Sequence, residues 1–190
     1  MFYLLFSLSL PALSQYDVEK IDTSKRKDSK INFFELKQRI FVGGDFNFWL
    51  RQGSTYVFAS PIAGYDIVKE KFSVGLSTMY QFYAEKYLNQ YFTFHSYGGG
   101  IFVRYRPFKP LLIQTEFDLY NTNDFAGGTF ERVNVPLFML GAGYAQSLGE
   151  KAYLQYMLFY DFVGDPNSPL PPIFFNFPIY MKYGFVFYLG

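Results

Sequence analysis

The sequence predicts an all-β protein, an eight-stranded antiparallel up-and-down transmembrane β-barrel, on three observations. Charged residues make up 17% of the 190-residue chain, against about 25% in ordinary soluble domains, while aromatic residues make up 23%. Mean hydropathy is only +0.01, and no uninterrupted apolar run reaches the ~20 residues of a membrane helix. From residue 39 onward, bulky apolar residues alternate with small or polar ones, which is the period of a strand with two different faces.

The alternation divides the chain into eight segments. We expect strands near residues 39–50, 55–67, 72–84, 91–106, 111–120, 132–146, 152–161 and 173–189. In the third segment bulky residues occupy the even positions from Phe72 to Phe82, with Thr78 the one smaller member. Pro61 in the second segment cannot donate a ladder hydrogen bond, so we expect a bulge or a local defect there. In the sixth segment both faces are apolar, and we place Phe138 and Leu140 on the outer one.

The breaks between segments alternate in length. Those after strands two, four and six are short (68–71, 107–110 and 147–151), and those after strands five and seven are long (121–131 and 162–172). The break after strand three, at 85–90, is intermediate, and only the first outer break, at 51–54, is short against this pattern. Short periplasmic turns alternating with longer outer loops are typical of bacterial outer-membrane barrels. With an even number of strands, both termini are then expected in the periplasm.

Charge placement favours a barrel in lipid. The charged residues within the segments lie on the face opposite the apolar one: Asp45, Asp66, Arg104, Arg106, Glu116, Asp118, Asp161 and Lys182. Arg132 is the exception, and it lies at a strand end. A charge on the lipid face near the bilayer centre costs about 2–4 kcal/mol. A soluble barrel would have the opposite arrangement, with apolar residues inside and charges outside.

The interior of an eight-stranded barrel is wide enough only for side chains. Bulky rings and charges of both signs point inward, so we expect a filled lumen. Within it we expect an ion network formed by Arg104, Arg106, Glu116 and Asp118. The tight turn at 107–110 makes strands four and five a hairpin. In one register Arg104 lies diagonal to Glu116 and pairs with it; Arg106 is the next candidate partner.

The N-terminal part of the chain is organised differently. Residues 1–14 form a short apolar run that ends in the small-x-small pattern Ala12-Leu13-Ser14, which predicts a signal peptide cleaved before Gln15. A buried N-terminal strand is the alternative. Residues 15–38 are mostly polar and charged, which indicates a periplasmic arm, and residues 31–36 could add a short helix or a plug-like segment. The barrel is expected over residues 39–190.

The end of the last segment resembles the C-terminal assembly signal of bacterial outer-membrane barrel proteins. Lys182, Gly184, Phe187 and Leu189 match its pattern of a polar residue, a glycine and spaced hydrophobic residues, although the chain ends on Gly190 where many such proteins end on an aromatic residue. Together with the strand pattern, this resembles the small OmpA/OmpX-type family over about residues 39–190. The resemblance implies an outer-membrane location, insertion by the barrel-assembly machinery and contact with outer-membrane lipid. It identifies no activity.

Catalytic and cofactor motifs are weak in this sequence. A net charge of +1 provides no electrostatic case for nucleic acid, and the absence of cysteine excludes disulfides and thiolate metal sites. His95 and Ser96 are neighbours in a strand and point to opposite faces, so they cannot act as a catalytic pair directly. The run from Gly98 to Gly100 lies mid-strand with no helix after it, so it predicts relief of crowding or a bend in the strand rather than a phosphate site. We expect no metal and no cofactor.

The functional expectation is therefore non-enzymatic. We expect a structural, binding or accessory-subunit role in a larger outer-membrane assembly, without catalysis and without a wide pore. Two alternatives stay open. One is a lipid-modifying enzyme, an acyl hydrolase or acyltransferase, that uses His95 with a second polar group. The other is a narrow pore.

Overall fold

The computed structural model of this protein describes residues 33–51, 53–87, 90–124, 126, 131–173 and 177–190. The predicted signal peptide and residues 15–32 of the predicted arm lie outside the described residues. The segment just before the first strand contains a one-turn helix, α1 (Phe33–Lys37). Of the alternatives for residues 31–36, the part that is described is thus a short helix. Within the described residues, no helix is long and apolar enough to cross a membrane.

Eight antiparallel strands form the body of the molecule. They are β1 (Ile40–Arg51), β2 (Ser54–Val68), β3 (Phe72–Tyr87), β4 (Gln90–Tyr105), β5 (Leu111–Asn123), β6 (Arg132–Ser147), β7 (Ala152–Asp161) and β8 (Ile179–Tyr188). Each strand pairs with the next along the chain, and β8 pairs back with β1, so the sheet is a closed barrel. The predicted number, order and direction of the strands are confirmed.

The two ends of the barrel differ. One end, here called the turn end, carries α1, the C-terminus and the short connections 69–71, 106–110 and 148–151. The opposite loop end carries the connections 52–53, 88–89, 124–131 and 162–178. Both ends of the described chain therefore lie at the turn end, as the even strand number predicts.

The strand bounds differ from the sequence prediction by three residues or more in β3, β5 and β8. β5 continues to Asn123, three residues past its predicted end. The intermediate break predicted at 85–90 is wrong, because β3 and β4 continue to the pair Tyr87↔Gln90. Charged residues such as Glu85 interrupt the apolar alternation there but do not interrupt the backbone ladder. β8 begins at Ile179 instead of residue 173, directly after Pro178, which has no N–H to donate to a ladder.

Pro61 causes a gap in the ladder without a change of register. Pairing of β2 with β3 stops after Ala59↔Tyr80 and resumes at Ile62↔Ser77 in the same register. The Thr78 hydroxyl donates a hydrogen bond to the Pro61 carbonyl at 3.2 Å, which uses one of the groups left outside the ladder. The register shift in this strand pair lies elsewhere, near Asp66. Of the two expected outcomes at Pro61, the local defect is the one found.

Burial alternates along the strands with the predicted period. In β5, Glu116 is 3% exposed and its neighbour Phe117 is 52% exposed, although Glu116 is the charged residue of the two. In β6, Phe138 and Leu140 are exposed while Met139 is buried, so the uncertain face assignment of this strand is confirmed. The barrel therefore has an apolar exterior and a lumen that holds the charges.

Glycines bring β1 and β8 close together where the barrel closes. The register of this pair runs only from Phe41↔Tyr188 to Gly44↔Phe185. A Cβ added at Gly184 would meet the Oδ1 atom of Asp45 and would lie 2.8 Å from the carbonyl carbon of Gly44. Since an ordinary carbon contact is ~3.5–4.0 Å, this closure has no room for a side chain on Gly184.

We expect Gly184→Ala to destabilise the folded barrel by about 1–3 kcal/mol, the usual cost of overpacking a tight contact. The measurement is the urea midpoint of protein refolded into detergent. Gly149→Ala is the matched control, because an added Cβ at Gly149 meets nothing within 4 Å. Equal midpoints for the two variants would mean that the closure tolerates a side chain.

Candidate functional site in the barrel lumen

Lys182 lies at the centre of the lumen charges. Its Nζ atom forms an ion pair with the Oε2 atom of Glu116 and lies 4.0 Å from Oδ2 of Asp118. Lys182 belongs to β8 and the two carboxylates to β5, so these contacts cross the barrel. The ring of Phe159 lies beside the ammonium group, with its centroid 5.0 Å from Nζ. One cation thus lies near two carboxylates and offsets part of the repulsion between them.

Asp118 is satisfied mainly by hydroxyl groups. The Ser77 hydroxyl donates to Oδ1 at 2.6 Å, and the Tyr120 hydroxyl donates to Oδ2 at 3.0 Å. Gly100 faces Asp118 across the β4–β5 ladder, and a Cβ at Gly100 would collide with Oδ1. A Cβ at Gly98 would meet the ring of Tyr120 in the same way. The expectation that this glycine run relieves crowding is confirmed.

Gln114 connects Arg104 to Glu116. The Nε atom of Arg104 donates to Oε1 of Gln114 at 2.5 Å, and Nε2 of Gln114 donates to Oε1 of Glu116. The guanidinium group lies over the rings of Phe41 and Phe102, at 5.4 and 5.2 Å from their centroids. Such cation–π contacts partly replace the water that burial removes.

The predicted direct ion pair between Arg104 and Glu116 is not formed. The register is one of those expected, with Arg104 opposite Gln114 and Phe102 opposite Glu116. Gln114 lies between the two charges, however, and Glu116 takes Lys182 as its cation. The sequence placed Lys182 on the inner face but assigned it only to the assembly signal. Nothing in its local pattern indicated which strand it would meet across the lumen.

Arg106 lies at the turn end of the lumen, away from Glu116. Its guanidinium group lies over the ring of Tyr153, 5.3 Å from the centroid. Its Nε and Nη1 atoms are buried and have no hydrogen-bond partner among the described residues. Of the four residues of the predicted network, Arg104, Arg106, Glu116 and Asp118 are all buried. Glu116 and Asp118 share Lys182, Arg104 reaches Glu116 through Gln114, and Arg106 lies apart.

Two further buried carboxylates anchor connections at opposite ends of the barrel. At the turn end, Asp66 accepts hydrogen bonds from the Ser73 hydroxyl at 2.7 Å and from the backbone N–H of Glu70 at 3.0 Å. At the loop end, Asp161 accepts from the backbone N–H groups of Val163 at 3.0 Å and Gly164 at 3.1 Å. The carboxylates hold the first residues of each connection in place. The alternation of apolar and polar residues in the strands does not predict these contacts.

Glu70 and Lys109 join two turns on the surface of the turn end. Their side chains form an ion pair at 2.7 Å. The hydrogen bond from Lys109 lowers the pKa of Glu70 below its ordinary value of 4.5 and raises the pKa of Lys109. The stabilisation is present above pH 4.5 and is lost as the pH falls through the lowered pKa of Glu70. Because both side chains are exposed, the contribution to the free energy of unfolding is small.

His95 and Ser96 lie on opposite faces of β4. Ser96 is buried and shares a hydrogen bond with Thr122 at 2.7 Å. His95 is on the outer face, where its Nδ1 atom lies 3.0 Å from the Tyr80 hydroxyl. Arg132, the one strand charge predicted outside the lumen, donates to the backbone carbonyls of His95 at 2.5 Å and of Asn121 at 2.8 Å. These contacts tie three strands together near the loop end.

The rest of the lumen is filled by packed side chains. Phe41, Phe102, Tyr120 and Phe159 are each no more than 1% exposed. The arrangement can offset and orient charges. Among the described residues, no group of three or more His, Asp or Glu side chains is placed to hold a metal ion.

Comparison with known proteins found neither a matching protein-family model nor a matching curated protein.

We expect the Lys182–Glu116 pair to be strongly coupled in the free energy of unfolding. Lys182→Met leaves two carboxylates without a cation and should cost about 3–5 kcal/mol. Glu116→Gln should cost less, because Lys182 keeps Asp118 within 4.0 Å. The double variant should recover much of the loss. Urea unfolding of protein refolded into detergent measures all three.

Arg104→Met combined with Glu116→Gln is the control cycle, because Gln114 separates these two charges. We expect a smaller coupling energy in this cycle than in the Lys182 cycle. Additive losses for Lys182→Met and Glu116→Gln would contradict the assignment of Lys182 as the partner of Glu116.

Proposed function

We propose that this protein is an integral outer-membrane β-barrel with a structural, binding or accessory-subunit role in a larger outer-membrane assembly. The observation that carries the proposal is the sorting of side chains between the two faces of a closed barrel. Large apolar side chains on all eight strands, such as Phe46, Tyr80 and Phe117, are exposed, whereas Glu116 and Asp118 are buried. In water this arrangement would be unfavourable on both faces, because the outer face would expose apolar surface and the inner face would bury charges.

The closed ladder supports the same environment. Lipid offers no hydrogen-bond partners to backbone N–H and C=O groups, so a spanning sheet must close on itself. The two longest connections, 124–131 and 162–178, lie at the loop end and fit the cell exterior, and the turn-end connections of three to five residues fit the periplasmic side. The other two loop-end connections, 52–53 and 88–89, have two residues each and depart from this pattern. On this proposal α1 and the predicted arm are periplasmic.

The C-terminal strand supports delivery by the barrel-assembly machinery. Phe187 lies outward and exposed, as does Leu189, while Lys182 points inward and Gly184 is buried. An extended strand that displays one apolar face is accessible to a receptor before the barrel closes. The interaction with the machinery is part of the proposal and rests on the resemblance of these residues to the assembly signal.

A non-enzymatic role with no wide pore is the functional part of the proposal. The packed rings of Phe41, Phe102 and Phe159 favour a filled lumen over a channel. On the outer face, His95 contacts Tyr80, and its neighbour Ser96 is on the other side of the sheet, so this pair does not favour lipid hydrolysis. Contact surfaces for a partner would be the loop end and the outer polar cluster around Arg132.

The membrane proposal predicts heat-modifiable migration on a denaturing gel. Unboiled protein from detergent or lipid should run at a different position from boiled protein, because a closed hydrogen-bonded ladder resists detergent. Circular dichroism of the same sample should show β-structure. A helical spectrum, or a soluble monomer without detergent, would contradict the proposal.

The proposal also predicts no porin-like conductance. Folded protein in planar bilayers should produce no stable single-channel steps of porin size, since side chains fill the bore. Protein whose folded state has been verified by its gel shift is used for the recording. Reproducible large steps would place a pore function ahead of the structural role.

A further inference from the structure

The barrel closure is incomplete on its loop-end half. β1 continues to Arg51 and β8 begins at Ile179, yet their pairing stops at Gly44↔Phe185. All residues of these two strand segments are among the described ones. Gly44 has a φ of 140°, a conformation that L side chains rarely adopt, and it lies opposite Pro61 in β2. The unusual backbone conformation of Gly44 therefore coincides with the end of the β1–β8 ladder.

A small cavity of about 70 Å³ occupies the place where the two strands separate. Its inner wall includes Asp45 and Lys182, and its outer wall includes Phe46, Met181 and Tyr183. Since the first two side chains face the lumen and the others face outward, the cavity connects the two sides of the wall. Phe46 is 69% exposed at this edge.

Asp45 is the hydrogen-bond acceptor that a ligand in this opening would contact. Its Oδ1 atom is shielded from solvent and has no hydrogen-bond partner among the described residues. Among the described residues around it, the carboxylates of Asp45, Glu116 and Asp118 face two cations, Lys182 and Arg104. Glu116 and Asp118 already have donors, so Asp45 is the carboxylate in excess. A carboxylate oxygen that is shielded from water and has no donor is costly, and a bound donor would remove that cost.

We propose that the opening between β1 and β8 is a lateral binding site for an amphiphile with a small primary-ammonium head. The head donates hydrogen bonds to Asp45, and the apolar tail lies along Phe46 and Met181 on the outer face. The proposal rests on the membrane placement proposed above, because the tail enters from lipid. The cavity volume limits the head to a few non-hydrogen atoms, which excludes sugars and bulky quaternary ammonium groups.

Fluorescence of Trp49, the only tryptophan of the chain, tests the proposal. Trp49 belongs to the part of β1 that lies outside the β1–β8 ladder. Bromine-labelled dodecylammonium, dodecyl sulfate and dodecyltrimethylammonium are titrated into folded protein in neutral detergent. We expect saturable quenching by dodecylammonium, with an affinity about tenfold or more above the affinities for dodecyl sulfate and dodecyltrimethylammonium. This difference corresponds to the free energy of a charged hydrogen bond.

Asp45→Asn should remove this preference, and Asp66→Asn is the matched control at the turn end of the lumen. Lipid vesicles with brominated acyl chains then show whether the ammonium head belongs to a membrane lipid. Quenching by lipids with ethanolamine but not choline headgroups indicates a membrane lipid. Quenching by free dodecylammonium alone indicates a smaller amphiphile. Equal quenching by dodecylammonium and dodecyl sulfate, or an unchanged preference in Asp45→Asn, would overturn the proposal. A normal gel shift in the same samples shows that the barrel is folded, so a negative result then concerns the binding site and not the proposed membrane barrel.

Cysteine pairing tests the opening itself, because the chain has no native cysteine. Continuing the register by four residues beyond Gly44↔Phe185 would place Phe48 opposite Met181. If β1 and β8 paired along their full length, cysteines at these two positions would lie within disulfide range. We expect slow oxidation of the Phe48→Cys/Met181→Cys variant, slowed further by dodecylammonium. Rapid, complete oxidation that the amphiphile does not affect would show a closed wall and overturn the proposal.

Discussion

Closure of the sheet at β1 and β8 is the constraint on which the rest of the structure depends. A strand edge without a partner is open to aggregation in water and costly in lipid. Here the two edges meet because Gly43 and Gly184 allow the backbones of β1 and β8 to approach where any Cβ would collide. The same closure carries Lys182 to the side of the lumen opposite β5. The central ion pair with Glu116 exists only because the barrel is shut.

The buried carboxylates of the lumen are satisfied in different ways. Glu116 has a cation and an amide, Asp118 has two hydroxyl groups, and Asp161 has backbone N–H groups. Each solution avoids the large cost of an isolated buried charge. Asp45 departs from this rule, and it lies where the β1–β8 ladder ends. The gap in the ladder and the carboxylate without a donor therefore occupy the same place in the molecule.

Errors in the sequence prediction share a physical cause. The alternation of apolar and polar residues marks the part of a strand that has an apolar outer face and a packed inner face. The pattern is absent where both faces are polar. For that reason β3 and β4 extend beyond Glu85 without an apolar signal. The predicted start of β8 at residue 173 is too early, because the residues before Pro178 are mostly apolar and continue the apolar signal of the strand. Pro61 was read correctly as a defect, because the missing N–H is a property of the residue itself.

The sequence by itself determined the class of the fold, the number and order of strands, and the face on which almost every charge lies. These follow from a local period of two, which a single strand expresses without knowledge of its neighbours. Only the tertiary structure decided which charges meet. Lys182 and Glu116 are 66 residues apart, and their contact depends on the stagger of the strands and on a closure that no local pattern encodes. Arg104 and Glu116 lie near in sequence, yet Gln114 separates them because its side chain is long enough to bond to both.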